Sequence, residues 1–234
     1  MPTAEFKVKV TQAESVTALL YSAARQNRAK ATIVLGHGAG ANQLTAFMRL
    51  FAAGLAERGF DVVTFNFLYM DQGRKIPDPG PRLELCYRAV IDAVIKHKKL
   101  KGNRLIIGGK SMGGRIASQV AAALPENIDG LVFLGYPLHP PGRPDKLRSE
   151  HLPKIKVPML FVQGSRDAFG TKEEIAGIIR KLKLPADLYV VAGGDHSLKV
   201  AKSSAIPQSQ VYEQAMDEIA LWCSALDASA ARNN

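Results

Sequence analysis

The chain has 234 residues, 47% of them hydrophobic and 22% charged, so it holds enough apolar material for a large core and is not a wholly disordered chain. Its formal net charge is +10, but the densest basic run, residues 96–101, lies at the predicted end of a helix, where cations suit the helix dipole. Because neither a zinc-finger spacing nor a basic patch interleaved with aromatic residues occurs, we expect no specific nucleic-acid partner.

Neither a run of 18 apolar residues nor the apolar segment of a signal peptide is found in the sequence. The two cysteines, Cys86 and Cys223, lie in apolar helical patterns and do not have a metal-binding spacing. We therefore expect buried free thiols, no metal, no cofactor, no membrane attachment and a cytoplasmic location.

Apolar runs alternate with amphipathic stretches from about residue 30 to residue 226. The first two strands are predicted to form a hairpin at residues 6–10 and 16–21. Further strands, all strongly apolar, are predicted at residues 31–35, 61–65, 105–107, 130–134, 158–162 and 187–191. Helices are predicted between and after them, at residues 42–57, 83–100, 111–124 (stopped by Pro125), 172–182 and 208–226.

This alternation predicts an α/β fold with a mostly parallel central sheet and helices on both faces. Neither repeats nor linkers divide the sequence, so residues 1–234 are interpreted as one domain with a frayed tail at 227–234. Residues 66–81 form a long Gly/Pro-rich loop, which suggests a functional segment. The proline-dense stretch between residues 135 and 158 is too short for a large cap domain.

The sequence Gly-Lys-Ser-Met-Gly at residues 109–113 matches the pattern G-x-S-x-G. It follows a predicted strand and opens a predicted helix, which is the setting of a nucleophile elbow. Glycines on both sides permit the tight turn that exposes the hydroxyl of Ser111 above the sheet. The amino end of the helix adds positive partial charge near a developing oxyanion.

The same residues also resemble the end of a phosphate-binding loop, G-x-x-x-x-G-K-[ST]. The first glycine of that pattern would fall at Arg104, and it is absent. Residues 106–108 continue a strand where the phosphate loop would already have begun, so a phosphate-binding loop is not expected.

A serine nucleophile needs a base and an orienting acid, in the chain order serine, acid, histidine. His139, His151 and His196 follow Ser111, and His196 lies in a glycine-rich loop just after the last predicted strand. Loops at the carboxyl ends of parallel strands present active-site groups, so His196 is the preferred base. His37 precedes Ser111 and is expected to hold loop structure.

Asp167, which follows the strand at residues 158–162, is the preferred acid. Asp195 is its rival, but it adjoins His196, and neighbouring side chains point apart. Two backbone donors are expected to stabilise an oxyanion. One is the N–H of Met112, and the other is the N–H of Ala39 in the loop after the first parallel strand.

Four segments carry a family resemblance: Gly-His-Gly-Ala-Gly at 36–40, the run 109–115, Gln-Gly-Ser-Arg-Asp at 163–167 and Gly-Gly-Asp-His-Ser at 193–197. Together they resemble an α/β-hydrolase, in particular the dienelactone-hydrolase-like branch that includes small bacterial predicted hydrolases and the KANL/Tex-type proteins. Segments 66–70, 73–75 and 135–142 also look like that branch. The resemblance implies an α/β-hydrolase fold without a large cap.

The resemblance also implies that Ser111, Asp167 and His196 form a catalytic triad. Dienelactone hydrolase itself carries a cysteine nucleophile, so Ser111 argues against dienelactone as the substrate. Six residues are candidates for contacting substrate: Gly38, Gly40, Tyr69, Arg74, Tyr136 and His139. The two tyrosines have a plain alternative as loop-packing aromatics, and Lys110 is expected to form a surface ion pair rather than to anchor an acidic group.

These features predict a serine hydrolase that cleaves a small carboxylic ester or thioester through an acyl-enzyme intermediate. The alternative is a binding or scaffold protein on the same fold with little turnover, since a fold does not fix a function. Labelling of Ser111 by a fluorophosphonate probe would distinguish the two.

Overall fold

The computed structural model describes residues 1–23, 28–123 and 127–230, the last four as backbone only. Its strands form one sheet in the order β1-β2-β4-β3-β5-β6-β7-β8. The strands are β1 (Ala4–Lys9), β2 (Ser15–Tyr21), β3 (Ala31–Gly36), β4 (Asp61–Phe65), β5 (Arg104–Lys110), β6 (Gly130–Leu134), β7 (Met159–Gly164) and β8 (Ala186–Val191).

The first two strands form the predicted hairpin, and β2 pairs antiparallel with β4. All pairings among β3 to β8 are parallel. The chain passes from β3 to β4 on one side and then returns to place β5 on the other side. The carboxyl ends of β3 and β5 therefore flank the switch point of the sheet, where ligand sites form in open α/β sheets.

The helices are α1 (Ala46–Glu57), α2 (Leu68–Asp71), α3 (Gly80–Lys96), α4 (Met112–Ala123), α5 (Lys172–Leu182) and α6 (Gln208–Ala230). Apolar residues of α1 and α6 pack on one face of the sheet. Those of α3, α4 and α5 pack on the other face. The predicted fold class, a mostly parallel sheet with helices on both faces and without a large cap, is confirmed.

Alternation along the strands supplies both apolar cores. In β3, Ile33 joins the core under α1 and α6, whereas Val34 joins the core under α3 and α4. Ile106 and Ile107 divide in the same way on β5. Successive side chains of a strand point to opposite faces, so a nearly continuous apolar strand is what a sheet covered on both faces requires.

Several predicted boundaries need correction. The segment 66–81 is not a plain loop, because it contains α2, and α3 begins at Gly80 with a proline in its first turn. β5 continues through two glycines to Lys110, three residues beyond its predicted end. α6 runs to Ala230. Pro125 and residues 231–234 of the predicted tail lie outside the described residues.

The stretch between β6 and β7 packs close to the sheet and contains one short 3-10 turn, Leu152–Lys154. Both cysteines are buried and free, as expected. Within the described ranges, every helix is too short or too polar to cross a lipid bilayer.

Candidate active site

Ser111 stands at a sharp turn between β5 and α4, with a positive φ of 51°. Glycines make this turn possible: a Cβ at Gly109 or at Gly113 would lie 2.1 Å from the carbonyl oxygen of Gly36. Such a distance is far inside van der Waals contact, so neither position accepts a side chain. The Ser111 N–H donates to the carbonyl of Leu134 at 3.1 Å, which fixes the turn above the sheet.

The structure brings Ser111, His196 and Asp167 together from the ends of β5, β8 and β7. The Nε2 atom of His196 lies 2.7 Å from the Ser111 Oγ, and its Nδ1 atom lies 2.8 Å from the Asp167 Oδ2. Because a carboxylate only accepts, Nδ1 carries the proton and Nε2 is free to accept the serine proton. This is the arrangement in which a histidine can act as a general base.

The carboxylate of Asp167 is fully buried and is surrounded by donors in place of water. The Gln163 side-chain amide donates to its Oδ2 atom at 2.8 Å, and the Phe169 N–H donates to its Oδ1 atom at 2.8 Å. The ring of Phe169 also stacks on the imidazole of His196, with centroids 4.1 Å apart. Sequence reasoning missed both residues, although Gln163 is a polar residue at the end of an apolar strand.

The rival acid and the rival bases lie elsewhere. The Asp195 carboxylate accepts the N–H groups of Ser197 and Lys199 at 2.7 and 2.9 Å and so folds its own loop. His139 contacts the carboxylate of Glu174 through Nε2 at 3.2 Å. His151 contacts the hydroxyl of Ser118 at 2.7 Å, and neither residue is among those that line the cavity.

His37 holds the loop after β3, as expected. Its Nδ1–H donates to the Gly38 carbonyl at 2.8 Å, while its Nε2 accepts the Phe67 N–H at 3.1 Å. The ring is fully buried, and this burial lowers the pKa of His37 to about 4. The imidazole is therefore neutral near pH 7, and both its nitrogens are used in tying this loop to the segment after β4.

Ala39 and Met112, the two predicted oxyanion donors, both line the cavity that contains Ser111. In the part of the chain that the structure describes, neither N–H has an intramolecular acceptor. Gly38 also lines this cavity, and a Cβ added to it would lie 3.8 Å from the Cβ of Ser111. Two free backbone donors beside a serine hydroxyl are the geometry that stabilises a tetrahedral oxyanion.

The cavity has a volume of about 890 Å³ and lies at the carboxyl edge of the sheet. Apolar side chains from distant parts of the chain form much of its wall: Phe47, Met48, Leu50, Leu83, Phe169 and Tyr212. A cavity of this size and character suits a small, largely apolar molecule with a few polar groups.

The structure places both candidate tyrosines in the core and not on the cavity. Tyr136 is fully buried against Phe133 and Phe161, and its hydroxyl donates to the Arg148 carbonyl at 2.8 Å. Tyr69 is fully buried beside the ring of His37. Both rings are buried against other aromatic rings, which is the arrangement that the loop-packing alternative describes.

Three further candidates are also not among the cavity-lining residues. The guanidinium of Arg74 is held by the carboxylate of Asp78 at 2.7 Å. His139 is turned toward Glu174, and Gly40 occupies an exposed turn with a φ of 67°. Of the six residues predicted to contact substrate, Gly38 is the one among the cavity-lining residues.

Lys110 does not form the expected surface ion pair. Its side chain is largely buried beside the cavity, and its Nζ donates to the carbonyl of His196. Burial lowers the pKa of Lys110 to about 8, against the opposing charges of Asp167 and Asp195. The lysine thus connects the turn that carries the serine to the loop that carries the imidazole.

No cluster of three or more His, Cys, Asp or Glu side chains among the described residues is arranged to hold a metal ion.

The sequence matches a family model described as an alpha/beta hydrolase domain over residues 29–224. Solved structures of similar fold include Est1E from Butyrivibrio proteoclasticus, with a TM-score of 0.74 at 14% identity over 94% of this chain and 98% of that one. An alpha-beta serine hydrolase homologue from Coxiella burnetii has a TM-score of 0.69 at 20% identity over 85% and 93% of the two chains. Dienelactone hydrolase from Anabaena variabilis has a TM-score of 0.69 at 18% identity over 95% and 96%.

Proposed function

Because this chain belongs to the alpha/beta hydrolase family, we propose that it is a serine hydrolase that cleaves a small carboxylic ester or thioester. One observation carries the proposal: a single imidazole lies 2.7 Å from the Ser111 Oγ and 2.8 Å from the buried carboxylate of Asp167. A serine at an elbow, a base within hydrogen-bond reach and an acid that orients the base are the parts of an activated nucleophile.

In the first half-reaction, the Ser111 Oγ attacks the acyl carbon and His196 Nε2 takes the hydroxyl proton. The new positive charge on the imidazole is stabilised by the carboxylate of Asp167, which accepts hydrogen bonds from Gln163 and Phe169. The carbonyl oxygen becomes an oxyanion that accepts the N–H groups of Ala39 and Met112. His196 then gives its proton to the departing alcohol or thiol, and the acyl-enzyme remains.

In the second half-reaction, a water molecule replaces the leaving group. The water oxygen attacks the acyl carbon while His196 takes a proton from the water. The same two backbone donors stabilise the second oxyanion. The tetrahedral intermediate releases the carboxylic acid, and the proton returns from His196 to Ser111.

Two features support an ester or thioester as the substrate class. The cavity of about 890 Å³ has room for a small acyl group, and its apolar wall suits one. The free donors of Ala39 and Met112 suit the oxyanion of acyl transfer.

The test is a panel of p-nitrophenyl esters and acyl-CoA thioesters of increasing acyl length, assayed with the wild type and with Ser111→Ala. We expect turnover of short-chain substrates by the wild type and its loss in the variant. Absence of turnover across the whole panel, from protein that is folded by circular dichroism, would contradict the proposal and favour a binding or scaffold role.

A further inference from the structure

Two arginines line the same cavity as Ser111, and neither belongs to the proposed triad. Arg115 lies on α4, and Arg148 lies in the stretch between β6 and β7. The Arg115 Nη1 contacts the side-chain oxygen of Gln119 at 3.4 Å, and the Arg148 Nη1 contacts the Pro137 carbonyl at 3.5 Å. Both distances are long for a hydrogen bond, so most of the ten guanidinium N–H directions are available to a ligand.

Among the described residues, neither arginine is within ion-pair distance of a carboxylate. Glu84 acts on Arg115 from a distance, but it forms an ion pair with Arg88 at 3.4 Å. Asp78, the acidic residue on the cavity wall, is already paired with Arg74 at 2.7 Å and with a second arginine at 3.5 Å. The cavity therefore has two arginines whose charge no side chain of its own neutralises.

The two guanidinium groups are also close enough to repel each other. Burial lowers the pKa of Arg115, and the charge of Arg148 lowers it further. Two like charges that are partly desolvated and face the same space are unfavourable unless an anion compensates them. Surface arginines of this basic chain have no such constraint, since water surrounds them.

The arginines are positioned before any ligand arrives. The backbone of Arg148 is held on both sides, because its N–H donates to the Leu138 carbonyl at 2.8 Å and its carbonyl accepts the Tyr136 hydroxyl at 2.8 Å. Arg115 is fixed by α4, where its N–H donates to the Ser111 carbonyl at 3.0 Å. Backbone positions held in this way reduce the entropy lost when a ligand binds.

The helix also sets the distance to the reacting centre. Arg115 follows Ser111 by four residues, which is one helical turn or roughly 6 Å along the axis. A short acyl chain bound to Ser111 can reach that far, and the long side chains of both arginines add to the range. Both arginines line the cavity into which such a chain would extend.

We propose that Arg115 and Arg148 form a subsite for an anionic oxygen group, a carboxylate or a phosphate, on the substrate. This rests on the proposed hydrolase function and narrows it to esters or thioesters of acidic compounds, with the monoester of a dicarboxylic acid as the simplest case. Arginine binds planar oxyanions through two parallel hydrogen bonds, and two arginines can hold one carboxylate from both sides.

The kinetic test compares mono-p-nitrophenyl glutarate, which carries a free carboxylate, with p-nitrophenyl methyl glutarate, in which a methyl group caps that carboxylate and removes its charge. For the wild type we expect kcat/KM to be about tenfold to a hundredfold higher for the anionic ester, the range given by charge-assisted hydrogen bonds. In Arg115→Gln and Arg148→Gln the ratio of the two values should fall toward one. Arg115→Lys and Arg148→Lys, which keep the charge, should retain part of the preference.

Arg143→Gln is the matched control. Arg143 lies in the same stretch as Arg148, but it is paired with Asp145 at 2.9 Å and is not among the cavity-lining residues. The Arg143→Gln substitution removes the same charge from the protein, so it measures how far the overall positive charge of the chain attracts anions. We expect the ratio of kcat/KM for the anionic ester to that for the neutral ester to be the same in Arg143→Gln as in the wild type. An equal fall of this ratio in all three Gln variants would overturn the subsite.

A binding measurement separates the subsite from catalysis. Glutarate and inorganic phosphate are titrated by calorimetry into Ser111→Ala with and without the added Arg115→Gln or Arg148→Gln change. Saturable binding that depends on both arginines supports the subsite, and the tighter ligand identifies carboxylate or phosphate. Absence of binding by both ligands overturns it.

The two proposals can fail separately. Turnover of both glutarate esters with equal kcat/KM leaves the hydrolase proposal standing and overturns the anionic subsite. Arginine-dependent binding of glutarate, without turnover of either ester or of any ester or thioester in the panel above, supports the subsite and contradicts the hydrolase.

Discussion

The structure contains two serine–histidine pairs with the same separation and different surroundings. The Ser111 Oγ lies 2.7 Å from His196 Nε2, and the Ser118 Oγ lies 2.7 Å from His151 Nε2. Both serines belong to the segment around α4, seven residues apart. The distance alone therefore does not identify a catalytic pair.

The two pairs differ in which residue donates the hydrogen bond between serine and histidine. Asp167 accepts from Nδ1 of His196, so Nε2 accepts the Ser111 proton. Ser118 donates its one proton to a backbone carbonyl in its own helix at 2.7 Å, so the His151 Nε2–H must donate to Ser118. A histidine that donates to the serine cannot at the same time take its proton.

Charge and access differ as well. His151 has cations near it in place of a carboxylate: burial, together with the charges of Arg115 and Lys154, lowers its pKa to about 4. Ser118 is fully buried within α4, whereas Ser111 stands at a strained turn on the cavity wall. An acid behind the imidazole, an open serine and nearby oxyanion donors thus separate a nucleophile from a structural hydroxyl.

The largest expected difference between the pairs is in turnover. Ser111→Ala should lower kcat for the best ester by about 10⁶-fold, because the nucleophile is lost while the core is untouched. Ser118→Ala removes the same chemical group from the other pair, away from the reacting centre, and should keep kcat within about threefold. Parallel assays, with thermal unfolding to show that both variants fold, make the comparison. Equal losses in the two variants would contradict the assignment.

Removing the Asp167 carboxylate should leave the Ser111–His196 pair without an orienting acid, as in the Ser118–His151 pair. Asp167→Asn should lower kcat by about 10⁴-fold, since the amide neither fixes the tautomer nor stabilises the imidazolium. Asp195→Asn is the control: it can still accept the N–H groups of its loop, and its kcat should stay near the wild-type value. A larger loss in Asp195→Asn than in Asp167→Asn would reverse the choice of acid.

The smallest expected effect concerns stability in mild acid. The pKa of His151 is about 4 in the folded chain and 6.5 in the unfolded chain, so the unfolded chain binds more protons between these values. The free energy of unfolding therefore falls as the pH drops from 6.5 toward 4. Because the ring is partly open to water, we expect His151 to account for about 1 kcal/mol of the fall between pH 7 and pH 5.

Urea denaturation at the two pH values measures this contribution. In His151→Gln the fall in unfolding free energy between pH 7 and pH 5 should be smaller than in the wild type by that amount. An unchanged fall would show that His151 is not held neutral by its surroundings.

The sequence predicted the parts of the site that follow from topology. Strands that are apolar throughout indicate a parallel sheet, and the residues just after such strands meet at one edge. This reasoning puts Ser111, Asp167 and His196 at the ends of β5, β7 and β8, where the structure also has them. The glycines at positions 109 and 113 also predicted the tight turn, because only a backbone without Cβ fits there.

Side-chain direction could not be predicted in the same way. Tyr136 follows a strand as closely as an active-site residue would, yet its hydroxyl finds a carbonyl partner in the core. Phe47 and Tyr212 line the cavity from α1 and α6, which are separated by most of the chain. The charge of Lys110 predicts a surface position, but the turn after Gly109 places its side chain beside the cavity. Each outcome depends on which elements pack against the residue, and that is tertiary information.

A serine hydrolase requires Ser111 to be an activated nucleophile, and a fluorophosphonate probe tests this without knowledge of the substrate. The protein is incubated with the probe, and intact mass and peptide mapping locate the adduct. We expect one adduct, on Ser111, that is retained in Ser118→Ala and lost in Ser111→Ala. A folded wild-type protein that takes up no probe, or takes it up on Ser118, would contradict the proposed serine hydrolase.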